Sequence, residues 1–178
     1  MMEPVEFKKV DHDDLPEKPW ATTGTGGKRP PNIINSLYLQ SEKLEQHNLN
    51  LIEKYKKIEE NEIRYDVDQV EDADFVLTAF GTTSRIVRSA VAQLREEGYK
   101  VGIVRPQAIW PFPHIAYQEL PDTVKGILTV EMNHGQMIDD VRIAVAGKIP
   151  VYHYGRYGGM IPLVEDIVAE TKRIMEGQ

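Results

Sequence analysis

Apolar and polar positions change their rhythm near residue 65. From Asn32 to about Glu62 there is neither proline nor glycine, and Ile34, Leu37, Leu44, Leu51, Tyr55 and Ile58 recur at the three- and four-residue spacing of a helix face. The pattern predicts one long amphipathic helix, with Asn32 as a good N-cap type. Ser41 and Asn48 interrupt its apolar seam, so it reads as a helix packed along a domain or partner rather than a free-standing coiled coil. Glu42, Lys43, Glu53, Lys54, Lys56 and Lys57 are read as its solvated face.

Beyond residue 65, short β-type runs alternate with helical ones. Residues 75–80, 101–104, 126–130 and 151–154 predict strands, and 84–97, 115–120, 136–146 and 162–175 predict helices. Apolar runs joined by helices imply strands buried on both faces, hence a three-layer α/β/α domain with a mainly parallel sheet over residues 66–178. Residues 1–65 are then a linker followed by the long helix. The first 31 residues hold Pro4, Pro16, Pro19, Pro30 and Pro31 with Gly24, Gly26 and Gly27, a composition of turns and extended chain. The Thr-Gly-Thr-Gly-Gly-Lys run at 23–28 is not a phosphate loop. No apolar strand precedes it, no Ser or Thr follows Lys28, and Arg29 stands where a third glycine would be needed.

Composition narrows the chemistry. Of the 178 residues, 41% are hydrophobic and 28% charged, the balance of a folding soluble chain. The formal net charge of −7 argues against nucleic acid or an anionic membrane surface as partner. There is no cysteine, so the chain itself offers no disulfide, thiolate nucleophile or iron–sulfur ligand set. Histidines 12, 47, 114, 134 and 153 are scattered, and no metal site is expected. Met1–Val10 is polar, unlike a targeting segment or membrane span, and the chain is read as cytoplasmic. No catalytic constellation is present, and no residue is assigned a catalytic role.

In parallel sheets ligands and partners gather at the carboxyl ends of the strands, so four loops carry the functional expectations. In the first, Gly81, Thr82, Thr83, Ser84 and Arg85 would hold a phosphate or carboxylate at a helix N-terminus, or Thr83 or Ser84 would simply cap that helix. In the second, Arg105 is followed by three prolines with Trp110 and Phe112, a rigid aromatic knuckle that covers the sheet end or meets another subunit. The third offers Glu131, Asn133 and Gln136. Glu131 is either an acid–base group or an anchor for neighbouring backbone amides. The fourth presents Arg156 and Tyr157 ahead of Gly158 and Gly159, as an anion site or a long turn.

Taken in order, Gly81-Thr82-Thr83-Ser84, Arg105-Pro106 with Trp110-Pro111-Phe112-Pro113, Glu131-Met132-Asn133 with Gly135-Gln136, and Gly155-Arg156-Tyr157-Gly158-Gly159 resemble the second domain of 2-oxoacid:ferredoxin oxidoreductase alpha subunits. That domain is similar to the carboxy-terminal domain of transketolases. The resemblance covers about residues 66–178 and is nearest the 2-oxoisovalerate type, with the 2-oxoglutarate and pyruvate types as alternatives. It implies a complex in which thiamine diphosphate with Mg2+, iron–sulfur clusters and coenzyme A perform oxidative decarboxylation of a 2-oxoacid to an acyl-CoA. It also implies a beta subunit and ferredoxin-like or gamma subunits as partners, with ferredoxin as electron acceptor. This chain lacks the family's first domain and any Gly-Asp-Gly diphosphate motif, so by itself it is expected to bind none of these cofactors and to be inactive. Gly81 to Arg85 and Arg156 become candidate coenzyme A or anion contacts. Arg105, Trp110, Phe112, Glu131, Asn133, Gln136 and Tyr157 become candidate subunit contacts. A purely structural assembly module and a free-standing flavodoxin-like binder are the competing readings.

Overall fold

The computed structural model describes residues 7, 9 and 11–177, the side chain of Asp14 aside. The reading of the first ten residues lies outside it except at Phe7 and Lys9. The described residues form two compact units, one up to His47 and one from Asn48 onward.

In the second unit, alternation along the strands builds two cores. On β2 (Phe75–Thr78) the side chains point by turns to opposite faces. Phe75 and Leu77 join one buried cluster, and Val76 joins the other. The first cluster is completed by α2 (Gly81–Glu96) through Ile86, Val87, Ala90, Val91 and Leu94, and by α5 (Val164–Met175) through Ile167 and Val168. The second is completed by α3 (His114–Gln118) through Ala116 and Tyr117, and by α4 (Met137–Val145) through Met137, Val141, Ala144 and Val145. Each fully buried aliphatic side chain stabilises by about 1.5–3 kcal/mol, so these two clusters hold the helices to the sheet.

The sheet order is β1-β3-β2-β4-β5, with β3 (Val101–Pro106), β4 (Ile127–Glu131) and β5 (Val151–Gly155) all parallel to β2. The three-layer, mainly parallel α/β/α architecture is as expected, with one addition. A fifth strand, β1 (Tyr65–Asp68), pairs antiparallel with β3 at the edge. Its Tyr-Asp-Val-Asp sequence gives too little apolar signal to read as a strand, because an edge strand is not buried on both faces.

The long helix is shorter than expected. α1 spans Ser41–Asn61, and residues 32–40 are not helical. Asn32 does not cap it; its side-chain nitrogen donates to Pro19 O at 3.3 Å. Asn35 Oδ1 accepts the Leu37 amide at 2.9 Å, a local turn that competes with helix formation. No residue of α1 is buried. Among the described residues, no helix is long and apolar enough to cross a membrane.

Candidate functional site

The strand order reverses at β2. The connection after β2 leads outward to β3, whereas β4 begins on the other side of β2. The loops after β2 and β4 therefore diverge, and the crevice between them is the place where such sheets receive ligands.

After β2, Gly81 takes φ +59°, a left-handed conformation suited to glycine, and α2 starts there at once. Helix thus begins three residues before the predicted start at 84. Neither Thr83 nor Ser84 is the cap. Both are buried in the first turn, and Ser84 Oγ donates to Gly81 O at 2.7 Å. Phe80 occupies the N-cap position without a side-chain hydrogen bond. The first-turn amides of an α-helix have no intrahelical partner, so α2 presents backbone N–H groups at the crevice while Gly81 and Thr82 are exposed.

After β4 the arrangement is the opposite. Glu131 is only 3% exposed. Its Oε2 accepts the amides of Gln136 at 3.0 Å and Met137 at 2.8 Å, and its Oε1 that of Ile138 at 3.1 Å. The carboxylate fills the N-terminus of α4, where negative charge is favoured. Of the two readings for Glu131, the amide anchor is what forms, and the side chain is too buried for the expected subunit contact. Asn133 is half-buried, its Oδ1 accepting the Gly135 amide at 2.8 Å in a local turn. Gln136 stays exposed.

Arg105 pairs with Asp66 of β1 (Nη1–Oδ2 3.4 Å). The aromatic knuckle divides in two. Trp110, preceding a cis bond to Pro111, is 56% exposed and meets Tyr55 edge-on at 5.5 Å. Of the two readings for Phe112, covering the sheet end is the one that forms and the candidate subunit contact is not: it is buried, stacked on Tyr117 at 5.5 Å. Tyr117 in turn shares a buried 2.7 Å hydrogen bond with Thr78, and burial pushes its phenol far above the ordinary tyrosine value.

After β5, Arg156 Nη1 and Tyr154 OH both donate to Asp166 Oδ2 at 3.2 Å. The charge of Arg156 is therefore already paired. Tyr157 OH lies 3.2 Å from His134 Nδ1, linking the fourth loop to the third. A Cβ on Gly155 would stand 2.5 Å from Asn133 O, so only glycine allows these two loops to approach.

By topology Gly81–Arg85 follow β2 and Glu131 ends β4, on the two sides of the point where the strand order reverses, whereas Trp110 lies in the loop after β3. Sequence reading missed His134, His153, Thr129 and Asp166. The available signal was register: Thr129 and Glu131 lie two apart on one face of β4, and Thr129 stands opposite His153 on β5. Among the described residues no group of three or more His, Cys, Asp or Glu is placed to hold a metal ion.

The chain is 37% identical over 174 residues to the ketoisovalerate oxidoreductase subunit VorB of Methanothermobacter thermautotrophicus, a match covering 98% of this chain and 49% of the relative. It is 34% identical over 98 residues to the 2-oxoglutarate synthase subunit KorA of Methanothermobacter marburgensis, covering 55% of this chain and 26% of the relative. The chain spans about half the length of the VorB relative, or less of the others. Among solved structures, the 2-oxoglutarate:ferredoxin oxidoreductase of Magnetococcus marinus, with 2-oxoglutarate, coenzyme A and succinyl-CoA bound, superposes on 76% of this chain and 24% of its own. The TM-score is 0.66 at 27% identity. A split-gene transketolase, an inactive beta4 tetramer, shares the fold over 64% of this chain and 41% of its own, with TM-score 0.53 at 19% identity. Residues 73–167 match the model of pyruvate:ferredoxin oxidoreductase core domain II. They take in all four parallel strands and the crevice just described, and the chain belongs to that family.

Proposed function

We propose that this chain is the carboxy-terminal part of an alpha-type subunit of a 2-oxoacid:ferredoxin oxidoreductase, of the 2-oxoisovalerate type, working in the cytoplasm. The observation that carries this reading is the span of the VorB match. It runs through 98% of the chain, including the stretch ahead of the sheet, whereas the KorA match covers 55%.

The complex would oxidatively decarboxylate a 2-oxoacid to its acyl-CoA. Thiamine diphosphate with Mg2+ and iron–sulfur clusters would belong to a beta subunit, ferredoxin-like or gamma subunits and the alpha subunit's first domain, with ferredoxin taking the electrons. The residues of this chain do not fit those groups. It has no cysteine, and the described residues hold no cluster of metal-ligating side chains. Its share of the work is assembly and contact with an anionic substrate such as coenzyme A.

For that contact the favoured place is the start of α2. Gly81, Thr82, Thr83 and Ser84 would act through main-chain N–H groups rather than hydroxyls, since Thr83 and Ser84 are buried, with Arg85 adding charge. Arg156, paired with Asp166, is the second candidate cation. For assembly, Trp110 and Tyr157 are the exposed aromatics of the candidate set.

The test is calorimetric titration of coenzyme A into the full chain and into its assembled complex. Binding that weakens about tenfold on Arg85→Ala supports the ligand contact. Binding unchanged by the substitution, or no binding to either form, leaves the assembly role alone.

A further inference from the structure

The imidazole of His153 takes no part in the proposed function, yet it sits at the centre of the strand-end network. It stands opposite Thr129 across the β4–β5 pair, on the face that also carries Glu131. Its Nδ1 lies 3.4 Å from Thr129 Oγ1 and 3.5 Å from Glu131 Oε1. The Thr129 hydroxyl donates its one hydrogen to Tyr152 O at 3.0 Å, so toward the ring it can only accept. The Glu131 carboxylate receives three amides and also only accepts. Two acceptors facing one ring nitrogen call for a hydrogen on it.

We infer that His153 is fixed as the Nδ1–H tautomer and is a positioning residue, its N–H pointing at Thr129 Oγ1 with the Glu131 carboxylate that caps α4 close beside it. The other ring nitrogen agrees. Nε2 is buried and has no hydrogen-bond partner among the described residues. A bare lone pair there is the less costly state, because orphaned buried N–H groups are rarer than under-used acceptors. Gly155 makes room for that edge, since a Cβ on it would stand 2.6 Å from Nε2. His134 is separate: its Nδ1 is engaged by Tyr157 OH, and its ring meets that of His153 only edge-to-face at 6.3 Å. One imidazole thereby joins the end of β5 to the start of α4. The inference stands on geometry alone and does not depend on the family's reaction.

The test uses the full chain labelled with 15N-histidine at pH about 8.5, two units above the ordinary histidine value. Long-range 1H–15N correlation reads the tautomer, and His153 is assigned by its loss in His153→Asn. A pyrrole-type Nδ1 with a pyridine-type Nε2 is expected. The reverse pattern overturns the inference. In a second measurement, exchange of the Met137 and Ile138 amides is compared with that of α2 core amides in the same sample. His153→Asn places a side-chain N–H close to where Nδ1 stood and should keep their relative protection. His153→Phe keeps a ring without the donor and should lose severalfold, since the carboxylate loses the N–H dipole beside it. Protection unchanged in His153→Phe, or lost equally in both variants, overturns it.

Discussion

The carboxylate of Glu131 accepts the backbone amide of Met137 at 2.8 Å from a position only 3% exposed. This one relationship decides between two chemistries for a lone acid in a strand-end loop. A carboxylate spending its oxygens on three amides is a helix cap supplied from outside the helix. The N-terminus of α4 is thereby occupied, whereas α2 starts without a side-chain cap.

Glu131→Ala would leave buried amide donors without acceptors. It is expected to destabilise the chain by about 3 kcal/mol, read as a lowered urea midpoint at unchanged slope. Glu131→Gln retains one acceptor oxygen and should cost about half as much. Equal midpoints for parent and alanine variant would refute the capping role.

Much of this was legible in the sequence, and the failures have identifiable causes. The three inner strands showed because burial on both faces leaves mainly apolar runs, as in Phe75–Thr78 and residues 101–104, and the edge strand β5 showed through its Val and Tyr residues. β1 did not, since one edge strand carrying Asp66 and Asp68 lacks that signature. The early start assigned to α1 followed apolar spacing through Ile34 and Leu37, but the Asn35 side chain closes a turn there. At the site, loop positions could be read from the order of elements. Whether Phe112 faces in or out, and whether Thr83 caps, depends on tertiary packing that no local pattern encodes.

Two glycines separate crowding from backbone strain. At Gly155 a Cβ would meet Asn133 O at 2.5 Å, and backbone cannot swing aside as a side chain can, so Gly155→Ala should cost about 2–3 kcal/mol. Gly158 has φ +61° with nothing within 4 Å, so Gly158→Ala carries only the left-handed penalty of about 1 kcal/mol. Thermal melts of the two variants should rank in that order.

The two aromatics of the 105–113 loop should behave differently. Phe112→Ala empties a core position stacked on Tyr117 and should destabilise by about 3–5 kcal/mol. Trp110→Ala should change stability by less than about 1 kcal/mol while weakening assembly, because Trp110 is over half exposed. Chemical denaturation and size-exclusion of the reconstituted complex distinguish the two effects.

Acid sensitivity has a located contributor. Arg95 donates to both carboxylate oxygens of Asp72, at 2.8 and 2.9 Å, and these hydrogen bonds hold the Asp72 carboxyl below its ordinary value. A depressed folded-state value means that the stabilisation is present above the unfolded value near pH about 4 and is lost as pH falls through the lower folded one. Asp72→Asn should therefore show a shallower loss of stability below pH about 4 than the parent, in melts taken at stepped pH. An identical acid limb would assign the sensitivity to other groups.

The proposed function places this chain in a working 2-oxoacid:ferredoxin oxidoreductase of the 2-oxoisovalerate type. The most direct measurement is anaerobic capture of the complex on this chain, with 2-oxoacid- and coenzyme-A-dependent dye reduction assayed on what is retained. A thiamine-diphosphate-binding subunit and a cysteine-rich subunit are expected in the complex, with turnover fastest on 2-oxoisovalerate. Fastest turnover on 2-oxoglutarate or pyruvate would contradict the substrate type. Capture of neither subunit, with no 2-oxoacid turned over, would contradict the account itself.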